Sequence, residues 1–263
     1  MSTLAATPKS SSAATLPSQR NMRMTQLDLI VTPIFFVILA ILLAVVWIYS
    51  DFDRTTTSIL EPSGLWTQFK QQIYLALWST ALVIVIAIPL GILVTREGAP
   101  RFKNNLVSVL GLGQAIPAYG LIVLFFVAFG QGSFTVILAL ATFALLPVLR
   151  NTIVGLEQVD QSVIEAGKGM GLTSIQRLRK IELPLAVPVI MGGIRTATVI
   201  NVGMATLAYL IGGGGLGETI AAGLKNGRPT AIFVGAVLVA LIALALDFLG
   251  GLAQRYLRPK GLA

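Results

Sequence analysis

The chain has 263 residues, of which 55% are hydrophobic and only 11% charged, whereas a water-soluble domain of this size carries about 25% charged residues. Too little polar surface is available to face water, so the chain belongs in a bilayer. It contains no Cys and no His, which excludes disulfides and thiolate metal sites and removes the commonest general base. Its net charge of +8 is spread as a membrane protein spreads it, which argues against a nucleic-acid partner.

Residues 1–26 are rich in Ser, Thr and Ala and lack an apolar core, so they read as a disordered cytoplasmic tail. Six apolar runs follow, each near the roughly 20 residues that about 30 Å of hydrocarbon requires. They are Ile30 to Tyr49, Ile73 to Val94, Leu106 to Phe129, Phe134 to Leu149, Ala186 to Ile211 and Ile232 to Leu249. In lipid the backbone must satisfy its own polar groups, so each run is expected to be a helix. The fourth is short and ends near Pro147. The first run is too long for a signal-peptide core and no small-residue cleavage site follows it, so it reads as an uncleaved anchor. The organisation expected is a first helix and outer loop over 27–69, a helical core over 70–250, and a second tail over 251–263.

Lys and Arg divide unevenly between the two sides. The tails, the loop between the second and third runs, and the loop before the fifth run carry fourteen; the remaining loops carry Arg54, Lys70, Lys225 and Arg228, four in all. The positive-inside tendency then places both termini in the cytoplasm, which requires an even number of spans. Trp47, Trp66 and Trp78 gather at the opposite boundary, where amphipathic rings settle.

Between the fourth and fifth runs lies a polar, glycine-punctuated segment, residues 150–184. Asp160 is placed to cap a short helix through Met170. Gly169 and Gly171 let the chain turn, and Thr173 with Gln176 has capping-box spacing for a second short helix. Val163, Ile164, Met170, Leu172, Ile175 and Leu178 are rimmed by Glu165, Lys168, Arg177, Arg179 and Lys180. An apolar centre with a charged rim is the anatomy of a protein interface; the plainer reading is a loop folded back on its own helix ends. Pro184 and Pro188 mark the start of the fifth span.

The run Gly212 to Gly217 contains a literal G-x-G-x-x-G, but no strand precedes it, so it is not a dinucleotide site. It reads either as a flexible turn out of the membrane or as a close backbone approach, through Gly214 and Gly215, at the outer mouth of a pathway. No G-x-x-x-x-G-K-[ST] phosphate loop occurs, so any energy source is a partner. Gly193, Ala197, Asn201 and Ala205 recur every four residues and suit close helix packing or a pathway face. Arg195 and Asp247 are the ionisable residues deepest in the spans. Each is expected to pair or to line an aqueous route, with snorkelling as the alternative for Arg195. No catalytic constellation, metal cluster or cofactor site is apparent.

The polar segment resembles the loop by which permeases of ABC importers dock onto their ATPase subunits. That pattern is Glu-Ala-Ala, three residues, Gly, nine residues, Ile-x-Leu-Pro. Glu165, Ala166, Gly171, Ile181, Leu183 and Pro184 fall at its spacing, and Gly167 stands where Ala is usual. IPLGILVTR (88–96), GLGQAIPAYG (111–120), LLPVLRNT (145–152), IMGGIRTATVI (190–200) and ATLAYLIGGGGLGETI (205–220) further resemble permeases of glycine betaine, choline and carnitine importers. The resemblance implies an all-α polytopic protein with six transmembrane helices and the type I importer fold, in the cytoplasmic membrane of a prokaryote. It also implies a second permease subunit (homodimer or close paralogue), two ATP-binding subunits and an extracytoplasmic substrate-binding protein. Methionine-type importers share the loop and a similar glycine run and stay open as an alternative. A channel or secondary transporter is disfavoured by the few interior ionisable residues and the absence of an inverted repeat. A membrane enzyme would have only Glu218 and Asp247 to serve as acids.

Overall fold

The computed structural model describes residues 26–50, 52–96 and 100–257. The N-terminal tail expected over residues 1–26 lies outside the described residues except for Gln26, as do residues 258–263 of the expected second tail. Among the described residues every regular element is a helix, and there are no strands. The elements are α1 (Gln26–Tyr49), α2 (Arg54–Ile59), α3 (Pro62–Val94), α4 (Pro100–Ala115), α5 (Ala118–Phe129), α6 (Ser133–Glu157), α7 (Gln161–Gly169), α8 (Ser174–Arg177), α9 (Leu183–Ala205), α10 (Gly217–Lys225) and α11 (Pro229–Tyr256). A π turn, Leu178–Glu182, joins α8 to α9, and a 3₁₀ turn, Ala208–Ile211, follows α9.

Among the described residues five helical stretches are long and apolar enough to cross a bilayer: Val31–Tyr49, Pro62–Val94, Ser133–Glu157, Ser174–Ala205 and Pro229–Tyr256. The expected third span, Leu106 to Phe129, is not one helix. It breaks between α4 and α5 at Ile116 and Pro117. Pro117 lacks the N–H that would continue the ladder and disfavours a helical residue before it. The fourth span is longer than its apolar run, because α6 carries Pro147 within it and continues to Glu157.

The fifth span differs at both ends. Its helix stops at Ala205 rather than Ile211. At the other end Pro184 and Pro188 do not start it, since Ser174–Ala205 is one continuous 32-residue helical stretch. The π turn explains how. Pro184 has no N–H to give to the preceding turn, and the ladder widens there, with the Leu183 N–H donating to the Leu178 carbonyl.

α6 is the centre of the fold, packed between α3 and α9. Lipid tails are as apolar as Leu, so close approach rather than water exclusion holds spans together. A methyl on Gly91 of α3 would fall 2.6 Å from Cγ2 of Thr152 on α6; one on Gly193 of α9 would fall 2.7 Å from Cβ of Asn151. Gly155 of α6 lies against Ala186 of α9 in the same manner. These three contacts lock α3, α6 and α9 at the end that carries the polar segment. α11 closes the other side of α9, and α1 packs mainly on α11, leaving many apolar side chains of α1 exposed.

Candidate functional site

The polar segment folds as its caps dictate. Asp160 accepts from the Ser162 N–H at 2.8 Å and starts α7. That bond, together with the Ser162 hydroxyl, holds the Asp160 carboxyl below its ordinary value. The cap therefore persists above the usual carboxylate range and is lost only as pH falls through the lowered value. Gly171 takes a φ of +76°, which a bulky residue resists, and turns the chain out of α7. Gly169 does not share this task, since it ends α7 in ordinary helical geometry. The Thr173 and Gln176 side chains each accept from the other's backbone N–H, a complete capping box. Arg177 reaches back to the Leu172 carbonyl at 3.0 Å and the Ser174 hydroxyl at 3.2 Å, bracing the turn.

The structure brings several predicted residues together. Gly167 is buried, and a methyl there would come 2.8 Å from Cδ1 of Ile181. The glycine that stands in place of alanine thus lets α7 lie directly on the π turn. Glu165 and Ala166 point away from this contact and are exposed. Val163, Met170 and Ile175 are exposed as well, the last two at 71% and 67%, with Lys168, Arg179 and Lys180 exposed around them. Leu183 and Pro184 are half-buried at the start of α9.

Two residues outside the predicted set complete this end. Glu182, at the unspecified position of Ile-x-Leu-Pro, is buried, and its carboxylate accepts from Arg96 Nη2 at 2.5 Å. Arg96 follows α3 directly, and its Nε donates to the Ile92 carbonyl at 3.3 Å. A guanidinium is well placed at the negative end of a helix. Only the charge of Arg96 could have signalled this, since its partner lies far along the chain.

Arg195 does not snorkel. Its Nε and Nη2 form a forked pair with Asp247 at 2.9 and 2.7 Å. Its Nη1 meets Gln254 at 3.2 Å, and Gln254 donates to the Pro188 carbonyl at 2.7 Å. This network ties α9 to α11, and both ionic side chains are mostly buried. Gly193, Ala197, Asn201 and Ala205 are all buried, so that stripe serves packing within the chain. Asn201 donates to the Thr80 hydroxyl on α3 at 3.1 Å. The face of α9 that stays open is a different one: Thr196, Val199 and Gly203 are exposed, with Gly192 half-buried beside them. A methyl on Gly192 or Gly203 would meet nothing within 4 Å.

The glycine run is close-packed, not a flexible turn. Gly213 to Gly217 are buried. Gly214 and Gly215 have φ of +76° and +96°, and methyls on them would strike Gln71 and Gln72 of α3 at 2.3 and 2.7 Å. These glutamines hold the run by its backbone. Gln71 accepts from the Gly215 N–H at 3.0 Å, and Gln72 from the Leu216 N–H at 3.1 Å. Gln68 binds the Thr219 hydroxyl one turn earlier. Three glutamines within five residues at the entry to an apolar span were the missed signal. Among the described residues no carboxylates cluster as a metal site would require.

Taken together, the chain has a built, capped loop on one side, a packed glycine segment on the other, and close-packed spans between. Residues 87–261 match the family of binding-protein-dependent transport system inner membrane components. The chain belongs to that family. It is similar to the glycine betaine/carnitine/choline transport system permease protein OpuCB of Bacillus subtilis, with 39% identity over 192 residues, 73% of this chain and 88% of the relative. The osmoprotectant import permease protein OsmY of Salmonella typhimurium is 42% identical over 191 residues, 72% of this chain and 80% of the relative. Among solved structures, the MetNI methionine ABC transporter in an inward-facing conformation superposes with a TM-score of 0.66 at 24% identity. That match covers 76% of this chain and 99% of the other, and the likeness is one of fold. This is the permease subunit of an ABC importer in the inner membrane, and ATP hydrolysis belongs to a separate subunit. The family works with an ATPase and a substrate-binding protein.

Proposed function

We propose that this chain is the permease of an importer for quaternary-ammonium osmoprotectants such as glycine betaine, choline and carnitine. In this reading α7, α8 and the π turn form the docking element for the ATPase. The single observation that carries it is the exposed apolar pair Met170 and Ile175, on a loop rigidly capped by Asp160 and Thr173 and rimmed by cations. Such a surface, outside the spans, calls for a protein cover. Glu165 and Ala166 lie on its exposed side, and Gly167, Gly171, Ile181, Leu183 and Pro184 shape it. The names of the relatives that span most of this chain favour an osmoprotectant over methionine.

The working unit in this reading is two permeases and two ATPase subunits with an external receptor. The break at Ile116 and Pro117 supports a second permease. It is exposed on the single chain, and α5 spans only about 18 Å, so the break falls at membrane depth. Irregular backbone at that depth is tolerated only against protein or a water-filled route, not lipid. The open face of α9 through Gly192, Thr196 and Gly203 suits the same surroundings. The fourteen-to-four division of Lys and Arg supports a cytoplasmic loop and cytoplasmic termini in this reading.

The test is Glu165→Lys and Gly171→Leu in cells carrying the ATPase and receptor. Both variants are expected to insert normally, to lose the ATPase on purification and to lose uptake of labelled glycine betaine. Wild-type uptake with the ATPase still bound would overturn the assignment of the loop. Uptake competed by methionine and not by choline or carnitine would overturn the substrate.

A further inference from the structure

We propose that the Arg96–Glu182 pair is a positioning strut that makes α3 follow the loop, so that motion at the ATPase side reaches the outer glycine segment. This rests on the reading of the loop as the ATPase contact and assigns a transmission route from it.

The spans central to the fold are joined to the loop in different ways. α9 is continuous with it through the π turn. α6 is interlocked with α9 where Gly155 meets Ala186. α3 meets the loop side through an apolar seam, where Ile88 and Ile92 pack, as Leu178 and Leu183 do, on the cluster of Leu156, Ala186 and Ile190; such a non-directional contact can slide. Arg96 adds a directional bond at the end of that seam. On one side it holds the Ile92 carbonyl of α3 and on the other the buried Glu182 carboxylate. Glu182 sits between Ile181 and Leu183, and Ile181 touches Gly167 of α7. An unbroken line therefore runs from α7 through Ile181, Glu182 and Arg96 into α3.

What α3 carries at its far end gives the line a purpose. Gln68, Gln71 and Gln72 hold Thr219, Gly215 and Leu216 there. A displacement of α3 must move the glycine segment or break those bonds. The pair thus links two places at opposite ends of one helix without touching substrate. Glu182 is 8% exposed and Arg96 36%, so the carboxylate gains little from water if the guanidinium is removed.

The experiment uses the whole complex, permease with ATPase and receptor, in proteoliposomes. It reads ATP hydrolysed per glycine betaine imported for Arg96→Gln, Glu182→Gln and Arg96→Lys. Arg96→Gln is expected to keep the ATPase bound and to raise the ratio on the order of tenfold, within the usual range of coupling between sites. Glu182→Gln keeps an acceptor for Arg96 and should raise it less, while Arg96→Lys restores a charged donor and should stay near wild type. An unchanged ratio in Arg96→Gln would overturn the proposal. So would a proportional fall of hydrolysis and transport, or failure of the complex to assemble in both glutamine variants, since the pair would then only hold the fold. Loss of ATPase binding in Glu165→Lys, measured alongside, reads the loop assignment separately.

Discussion

Gln72 and Leu216 are joined in the buried interior, the glutamine oxygen accepting from the Leu216 N–H at 3.1 Å while its nitrogen donates to the Val202 carbonyl at 2.7 Å. One side chain thereby fixes the end of α9 and the start of α10. Val202 stands in the last turn of α9, where carbonyls lack helical partners. Gln72→Leu keeps the volume and strands both backbone groups, at about 1–3 kcal/mol for each orphaned group. Thermal unfolding in detergent should show a marked fall in Tm. An unchanged Tm would mean the glycine segment finds other partners.

The glycines separate into those packed and those open. Gly217→Ala puts a methyl 1.8 Å from the Thr206 carbonyl and should cost about 1–3 kcal/mol by overpacking. A Cβ on Gly203 would meet nothing within 4 Å, so Gly203→Leu should leave the stability of the purified subunit intact. Transport should nonetheless fall in the proposed assembly, where the open face of α9 is assigned to the pathway or a second permease. Normal uptake by Gly203→Leu would count against that face.

The Arg195–Asp247 fork predicts non-additivity. Asp247→Ala leaves a guanidinium unpaired within a span and should cost about 1.5–3 kcal/mol, the range for hydrogen bonds to charged groups. Replacing both partners, Arg195→Met with Asp247→Leu, should cost less than the sum of the single changes, because no charge is left alone. Denaturant unfolding in mixed micelles measures the cycle. Strict additivity would show that the two side chains do not interact.

The chain has no Cys, so topology can be read with single introduced thiols. Ser174 and Asn226 are exposed, one before the start of α9 and the other beyond its end. An impermeant reagent applied to intact cells should label Asn226→Cys and spare Ser174→Cys. The reverse pattern would invert the orientation drawn from the charge count.

How much of this was legible depended on range. Caps and turns are local chemistry, and Asp160, Gly171, Thr173 and Gln176 announce theirs within a few residues. The apolar runs likewise marked where helices lie. Pro117 was visible too, yet the surrounding residues are apolar on both sides, so hydropathy alone gave one span where the backbone makes two helices. Pairings across the chain were the hidden part. Arg96 with Glu182 and Gln72 with Leu216 are separated by 86 and 144 residues, and no periodicity connects them. Arg195 and Asp247 were picked out because a charge in lipid demands an explanation, although not as partners of each other. The small-residue stripe on α9 is buried within the chain, and the sequence could not say so, because a period of four describes a buried face as well as an open one.

The uninterrupted helix from Ser174 to Ala205 has a mechanical consequence. At 32 residues it is a rod about 48 Å long, so a tilt of about 5° about one end sweeps the other through about 4 Å. That sweep exceeds the radius of a water molecule severalfold. Small rotations imposed at the loop are therefore magnified with distance rather than dissipated. The π turn near the loop end, where the Leu183 N–H reaches back five residues to Leu178 instead of four, is the natural fulcrum.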